Sequence, residues 1–165
     1  MVTSSSLNVQ LDWMSTHFNA MCTTERDCLE KLKNSLFMVG EIGGKSIDEV
    51  KSMVPEVQVI GYGAARVVVP GNFPIGCFPI YLTAFQSNNP NDYDEHHCLK
   101  ELNSFSNYHN DKLQEVIQHL QREYPNTVIV YGDYYQAFQW LFQNAAYLGE
   151  FIYPLREKRR RARLE

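Results

Sequence analysis

The chain has 165 residues, of which 44% are hydrophobic, 13% aromatic and 21% charged. This composition is typical of one globular domain and excludes a collagen-like, repetitive or wholly disordered chain. Six basic and two acidic residues in 156–165 contribute +4 to a net charge of −4, which leaves −8 on the rest. The net negative charge of residues 1–155 argues against a nucleic-acid-binding surface on the main domain. The sequence contains no run of 18 apolar residues, the length needed to span a membrane, and residues 1–6 lack the features of a secretory signal. The sequence as written therefore predicts a cytoplasmic protein.

The first half of the chain predicts two helices separated by a strand. Apolar residues recur irregularly over 7–19 and indicate an amphipathic helix that ends before a polar turn between Cys22 and Cys28. The apolar run 35–40 predicts a buried strand that Gly40 terminates. Ser46 and Glu49 have the spacing of a capping box, which predicts a helix of at most 15 residues over 46–60.

The second half predicts two further strands and two helices. The β-branched run 65–69 is the clearest strand and ends at Pro70, after which comes a Pro- and Gly-rich loop. Apolar residues at helical spacing over 99–124 predict a long amphipathic helix, and 127–131 predict another apolar strand. Asp133 is placed to cap a last helix that runs through Phe142.

Alternating apolar strands and helices predict an α/β fold in which parallel strands lie between helices. In such folds, functional residues lie on the loops that follow the carboxyl ends of the strands. The segments to inspect are therefore 40–46, 70–79 and 132–135.

The four cysteines allow two interpretations. Cys22 and Cys28 flank one short polar segment, and Cys77 and Cys98 flank a polar loop, so each pair could close a small disulfide-bonded loop. Four free thiols remain the alternative. There is no Cys-x-x-Cys, which excludes a zinc ribbon or a thioredoxin-type motif.

Four segments together carry a family resemblance. They are LFMVGEIGG (36–44), VVVPGNFPIGC (67–77), Cys98-Leu99 with Asn103, His109, Asn110 and Leu113, and YGDYY (131–135). In this order they resemble the second half of plant GDSL-type esterase/lipases of the SGNH hydrolase superfamily, from about residue 4 to 149. The resemblance implies a partial three-layer SGNH-type (flavodoxin-like) domain at 1–150, followed by a diverged, basic and disordered tail at 151–165. It also implies a small-molecule ester or acyl ligand, no cofactor or metal, and relatives that are typically secreted.

The chemistry that the resemblance implies is ester hydrolysis by a serine, a histidine base and an aspartate, with an oxyanion held by main-chain N–H groups and an asparagine. No Gly-Asp-Ser occurs in this sequence, Lys45-Ser46 stands where Asn-Asp should follow Gly43-Gly44, and no terminal Asp-x-x-His follows residue 149. We therefore expect no catalytic residue here. Gly40, Gly43, Gly44 and Asn72 are interpreted as remnants of loops that lined the cleft.

Two motifs imitate functional sites. The residue types at 94–97 match Asp-x-x-His, but these residues precede Cys98 and do not occupy the C-terminal position of the family motif. His96, His97, Cys98 and His109 are close in sequence, but their spacing fits no familiar pair of metal ligands. We interpret His96 and His97 as solvated loop histidines and His109 as a side chain at the edge of the core.

Two hypotheses follow. In the first, the chain derives from an ester hydrolase that has lost its triad, as in a truncated or mis-spliced gene product. In the second, it is a non-catalytic binding or interaction protein that keeps part of the fold. Either predicts self-association or aggregation, because a missing first strand would expose unpaired strand edges and apolar faces on its neighbours. The basic run 156–163 is interpreted as a solvated tail, with a nuclear-localisation or nucleic-acid patch as the alternative.

Overall fold

A computed structural model describes residues 7–40, 54–145 and 147–148. The helices in this part of the chain are α1 (Leu7–Met21), α2 (Glu25–Asn34), α3 (Val54–Gly61), α4 (Pro79–Ala84), α5 (Lys100–Glu123) and α6 (Tyr134–Gln143). The strands are β1 (Phe37–Met38), β2 (Arg66–Pro70) and β3 (Val128–Gly132), and short 3-10 turns occur at Ile75–Cys77 and Pro90–Asp92. No helix in the described ranges has both the length and the apolar character needed to cross a bilayer.

The three strands form one parallel sheet in the order β1-β2-β3. Val67 of β2 pairs with Phe37 on one side and with Ile129 on the other. Since parallel neighbours need crossover connections, the helices lie between the strands in sequence. The α/β class and the parallel strands predicted from the sequence are therefore confirmed.

The chain divides into two compact units. The sheet belongs to the first unit, which falls within Met1–Asn72 and Tyr108–Gly132, and the second unit falls within Phe73–Asn107 and Asp133–Glu165. The predicted boundary between a domain at 1–150 and a tail at 151–165 lies outside the described residues. It stays a prediction.

The core of the first unit lies against one face of the sheet. Val67, Val69 and Ile129 are almost fully buried there and belong to one cluster with Leu113 and Ile117 of α5. β-Branched side chains are stiff and pack well on a pleated surface, which explains why these runs form strands.

The other face of the sheet is open to solvent. Leu36, Met38, Val128 and Val130 are 62%, 61%, 59% and 47% exposed. Met38 and Val130 are both register partners of Val68, so the three form one row across the strands. We call these five residues, together with Arg66, the register partner of Val128, the open sheet face. Parallel sheets are ordinarily covered on both faces, so this surface is unusual.

Helix α5 changes character along its buried stripe. The buried residues recur every three or four positions, as expected for one helical face, but the first are polar and the later ones apolar: Asn103, Ser106, Asn110, Leu113, Ile117 and Leu120. The apolar half packs in the core, and the polar half provides hydrogen bonds to loops.

Aromatic side chains of the second unit pack against one another. Phe73, Phe78, Tyr134, Phe138 and Phe142 form a chain of ring contacts with centroid distances of 4.9 to 5.8 Å. Asp133 caps α6 as predicted, because its Oδ1 accepts the main-chain N–H of Gln136 at 3.0 Å.

Helix α2 was not predicted, because the segment from Thr23 to Asp27 was interpreted only as a polar turn. Thr24 is the N-cap of α2, and its side chain accepts the N–H of Asp27. Acidic residues in the first turn and Lys31 and Lys33 in the last turn favour this helix through the helix dipole. Hydrogen bonds from Lys31 and Thr23 lower the pKa of Asp27 to about 2.

Candidate functional site

Gly40 and Asn72 follow the carboxyl ends of two neighbouring strands, where the sequence predicted loop residues of a cleft. Gly40 has φ +150°, and a Cβ built on it would lie 2.8 Å from Cδ of Pro70, the last residue of β2. A side chain at Gly40 would be strained in conformation and short of space. Gly40 therefore fits tightly against the end of β2. Gly43 and Gly44 lie outside the described residues.

The main chain of Asn72 is held by one side chain of α5. The Asn72 N–H donates to Oδ1 of Asn110 at 2.6 Å, and Nδ2 of Asn110 donates to the Asn72 carbonyl oxygen at 3.0 Å. Both residues are buried. One amide thus satisfies both main-chain polar groups of Asn72 and fixes the loop that leaves β2.

The side chain of Asn72 is used differently. Its Nδ2 is buried and has no hydrogen-bond acceptor in the described part of the chain. A buried amide without a partner is costly, so native proteins retain few of them. Chemically, an Nδ2 donor can bind a carbonyl or carboxylate oxygen.

His109 lies beside this clamp on α5 and is only 2% exposed. Burial lowers the pKa of His109 below its ordinary value of 6.5, and a side-chain hydrogen bond with Asn110 acts in the opposite direction. The sequence placed this residue at the edge of the core, whereas it is among the most deeply buried side chains of the described residues. The lowered pKa favours a neutral imidazole near pH 7.

The Asp94–His97 motif is a structural turn. Oδ1 of Asp94 accepts the main-chain N–H groups of His96 and Cys98, each at 2.9 Å, and Oδ2 accepts Nδ2 of Asn103 at 3.4 Å. The motif's histidine, His97, is exposed and has a positive φ of 60° within this turn. Both carboxylate oxygens therefore take part in shaping the loop.

Asn103 joins this turn to the 3-10 segment that follows β2. Its Oδ1 accepts the N–H of Gly76 at 2.9 Å, while its Nδ2 lies 3.7 Å from Sγ of Cys77. The Leu99 N–H donates to the Gly76 carbonyl oxygen at 2.9 Å, so the two segments are connected in both directions. We call Gly76, Cys77, Asp94, Cys98 and Asn103 the loop anchor.

All four cysteines are in disulfides, Cys22–Cys28 and Cys77–Cys98. This is the pairing that closes the two short loops, and the alternative of four free thiols is wrong for this structure. The sulfur of Cys98 is thereby occupied, which removes it from the metal-ligand set considered with His96, His97 and His109. Among the residues that the structure describes, no three His, Cys, Asp or Glu side chains are placed to hold a metal ion.

The sequence missed Asn103 and Asn110 as site-forming residues, although both are in the quoted motif. Each acts across a long separation, 27 residues for Asn103 to Gly76 and 38 for Asn110 to Asn72. The only signal was their place on the buried stripe of α5, where polar residues demand hydrogen-bond partners.

Comparison with known proteins agrees with these motifs. Residues 43–150 match the model of the GDSL-like Lipase/Acylhydrolase family. A GDSL esterase/lipase of Arabidopsis thaliana is 46% identical over 162 residues, covering 86% of this chain and 49% of the relative. Acetylajmalan esterase 2 of Rauvolfia serpentina is 36% identical over 161 residues, covering 87% and 44%. A second Arabidopsis GDSL esterase/lipase is 38% identical over 173 residues, covering 93% and 44%.

The chain thus spans less than half the length of each of these relatives. The family match covers most of the region in which the sequence motifs, the parallel sheet and the clamp on Asn72 occur. This chain belongs to the GDSL-like Lipase/Acylhydrolase family.

Proposed function

We propose that this chain descends from a carboxylic-ester hydrolase and that its 165 residues by themselves do not hydrolyse esters through a serine triad. The observation that carries the proposal is the sequence after Gly43-Gly44, where Lys45-Ser46 replaces the expected Asn-Asp. No Gly-Asp-Ser occurs elsewhere in the sequence. The nucleophile and one oxyanion donor are both missing from these residues.

The activity of a serine triad does not fall in steps as its residues are removed one by one. In a serine triad, removal of one member leaves only the residual catalysis of the oxyanion site and of substrate binding. Here the side-chain donor of the oxyanion site is absent as well. We therefore expect no acceleration that depends on an activated serine.

The Asp94–His97 motif does not replace the missing base. Hydrogen bonds from His96, Cys98 and Asn103 engage the Asp94 carboxylate, which a triad would need to orient an imidazole. This arrangement supports the proposal that residues 94–97 match Asp-x-x-His by chance and have no catalytic role.

The test is hydrolysis of p-nitrophenyl butyrate by the purified chain, with a full-length GDSL relative as positive control. We expect a rate equal to that of the heat-denatured chain. Ser46→Ala is the matched variant, because Ser46 is the serine closest to the family's glycines. Saturable turnover that a serine-to-alanine substitution abolishes would contradict the proposal.

The second candidate function is non-catalytic binding of an acyl ligand, and the buried Nδ2 of Asn72 favours it. This donor is suited to an oxygen of a carboxylate or an ester. Butyrate binding, measured by NMR chemical-shift titration, should weaken at least tenfold in Asn72→Asp, because the substitution replaces a donor by a like charge. Asn126→Asp, at an exposed position, is the control with the same charge change. Equal binding in both variants would rule out this role.

The compartment is a separate proposal. Disulfides persist in oxidising compartments, so the two cysteine pairs support folding outside the reducing cytosol, in contrast to the cytoplasmic expectation from the first residues. Alkylation of the protein extracted from its source, followed by mass measurement, should count no free thiols. Four alkylated cysteines would support the cytoplasmic expectation instead.

A further inference from the structure

The two disulfides of the chain lie in contrasting surroundings. Cys22 and Cys28 are both half-buried, and they line an open cavity of about 400 Å³ together with polar neighbours, namely Asn19, Thr23, Thr24 and Glu25. Cys98, by contrast, is only 2% exposed and lies in the loop anchor with the half-buried Cys77. A thiol in solution therefore has access to both cysteines of the first pair but to only one of the second.

The buried position of Cys98 also disfavours chemistry at its partner. The rate of thiol–disulfide exchange depends on which sulfur is attacked and on how well the other sulfur leaves as a thiolate. Attack on Cys77 would leave a Cys98 thiolate in a buried position, close to the Asp94 carboxylate that accepts the Cys98 main-chain N–H at 2.9 Å. Burial and a neighbouring negative charge both disfavour a thiolate. The second disulfide should therefore exchange only when the loop anchor opens.

Hydrogen bonds join α1 and α2 beside the first disulfide. Nζ of Lys31 donates to the main-chain oxygen of Met21, the last residue of α1, and to Oδ2 of Asp27, each at 2.8 Å. The same Oδ2 accepts the main-chain N–H and the hydroxyl of Thr23, each at 3.0 Å. We call Met21, Thr23, Asp27 and Lys31 the Asp27 network. It connects the same two helices as the disulfide, so it can keep the two cysteines close together after the S–S bond breaks.

The two disulfides also close loops of different size. Cys22 and Cys28 are 6 positions apart in the sequence, whereas Cys77 and Cys98 are 21 positions apart. In the chain-entropy account, a disulfide that closes the shorter loop favours folding about sixfold less. Reduction of Cys22–Cys28 should therefore leave the fold in place.

We propose that Cys22–Cys28 is a thiol-exchange site for low-molecular-weight thiols of the glutathione class, whereas Cys77–Cys98 is a closed structural link. A thiolate attacks one sulfur of the pair, a mixed disulfide forms as the Cys22–Cys28 bond breaks, and the other cysteine leaves as a thiolate. A second thiolate attacks the mixed disulfide and frees the remaining cysteine. Two thiols are thereby oxidised to one disulfide, the cystine is reduced to two cysteines, and the protons that the two thiols lose are taken up by the cysteines through water.

The consequence is a removable covalent link between α1 and α2. When the pair is reduced, the Asp27 network connects the two helices at this turn, and an oxidised thiol can close the disulfide again. The proposal concerns a different part of the chain from the ester chemistry and does not depend on it.

Timed exposure of the native full chain to reduced glutathione, followed by alkylation and peptide mass spectrometry, tests the proposal. Cys22 and Cys28 should become alkylated at least tenfold faster than Cys77 and Cys98. Urea below the unfolding transition should leave the rate at Cys22–Cys28 unchanged and raise the rate at Cys77–Cys98, because only the second pair requires local opening. Circular dichroism should show an unchanged fold after the first pair is reduced.

Two lysine variants test the role of the Asp27 network in closing the disulfide again. Lys31→Ala removes the donor that connects Met21 to Asp27 and should slow re-oxidation of the reduced pair by oxidised glutathione at least threefold. Lys33→Ala is the matched control, because it removes the same charge at an exposed position of the same helix, and it should re-oxidise like wild type. Equal re-oxidation rates in the two variants would contradict the role of the network.

Three results in the wild-type chain would overturn the proposal itself. The first is reduction of both disulfides at the same rate, and the second is faster reduction of Cys77–Cys98. The third is a rate at Cys22–Cys28 that rises with urea as steeply as the rate at Cys77–Cys98, since exchange at the first pair would then also require unfolding.

Discussion

The segment after β2 and the turn at Asp94–Cys98 both carry polar residues of the types found in hydrolase sites, but they use them differently. At Asp94, both carboxylate oxygens accept hydrogen bonds from neighbouring groups. At Asn72, the main chain is held by Asn110 while the side-chain Nδ2 is left without an acceptor among the described residues. The motif that imitates catalysis is therefore structural, whereas Asn72, interpreted as a loop remnant, keeps a buried Nδ2 donor without an acceptor among the described residues.

Gly76→Ala should have the greatest effect on the loop anchor. A Cβ at Gly76 would overlap the main-chain oxygen of Leu99 and lie 2.8 Å from Oδ1 of Asn103, so neither neighbour can give way cheaply. We expect a loss of about 4 kcal/mol in the free energy of unfolding in urea, or failure to fold. Gly61→Ala is the control, because a Cβ at Gly61 meets nothing within 4 Å. A loss below about 1 kcal/mol for Gly76→Ala would show that the anchor is not rigid.

Asn110→Ala and Asn72→Ala separate the clamp from the side chain that it presents. Asn110→Ala leaves the buried main-chain N–H and carbonyl of Asn72 unpaired, which should cost about 3 kcal/mol. Asn72→Ala leaves both bonds in place and removes a donor without a described acceptor, so it should cost less than about 1 kcal/mol. Equal losses in urea unfolding would mean that the Asn72 side chain is itself structural.

Asp94→Ala tests whether the turn depends on the carboxylate. Removing an acceptor of three hydrogen bonds should lower the free energy of unfolding by about 2 kcal/mol. Glu95→Ala changes the charge equally at an exposed neighbour and should stay within about 0.5 kcal/mol of wild type. An Asp94→Ala variant as stable as wild type would leave the carboxylate available for another role.

His109 predicts the smallest effect, a dependence of stability on pH. Because burial lowers the pKa of folded His109 below 6.5, the unfolded chain binds a proton at higher pH than the folded chain does. Stability should therefore be complete above pH 6.5 and fall as the pH drops below it. Urea unfolding at several pH values measures this, and His109→Gln should reduce the slope whereas the exposed His119→Gln should not. An unchanged slope in His109→Gln would contradict a neutral, buried imidazole.

Much of the fold was accessible from the sequence because its elements are encoded locally. The β-branched run 65–69 and the apolar spacing of 99–124 predicted β2 and α5, and Asp133 was predicted as a cap. Helix α2 was missed because its stability comes from Thr24 and from charges at its ends, while its polar first turn resembles a loop. The apolar runs 35–40 and 127–131 predicted strands buried on both faces, whereas Met38 and Val130 are 61% and 47% exposed.

The candidate site was less accessible, because its contacts are long-range. The sequence selected Gly40 and Asn72 through family resemblance, and their role as cleft remnants stays a prediction. Their surroundings depend on Pro70 and Asn110, which no local pattern connects to them. The likeness of residues 94–97 to a catalytic pair could be tested only by locating the partners of the Asp94 carboxylate.

Incubation of the purified chain with a fluorophosphonate, followed by intact-mass measurement, tests the proposed loss of serine-hydrolase chemistry most directly. The reagent labels a serine only where a base and an oxyanion site activate it. We expect an unmodified mass, together with full labelling of a GDSL relative treated in parallel. A stoichiometric adduct on this chain would contradict the proposal, and the labelled serine would identify a nucleophile that neither the motifs nor the geometry indicates.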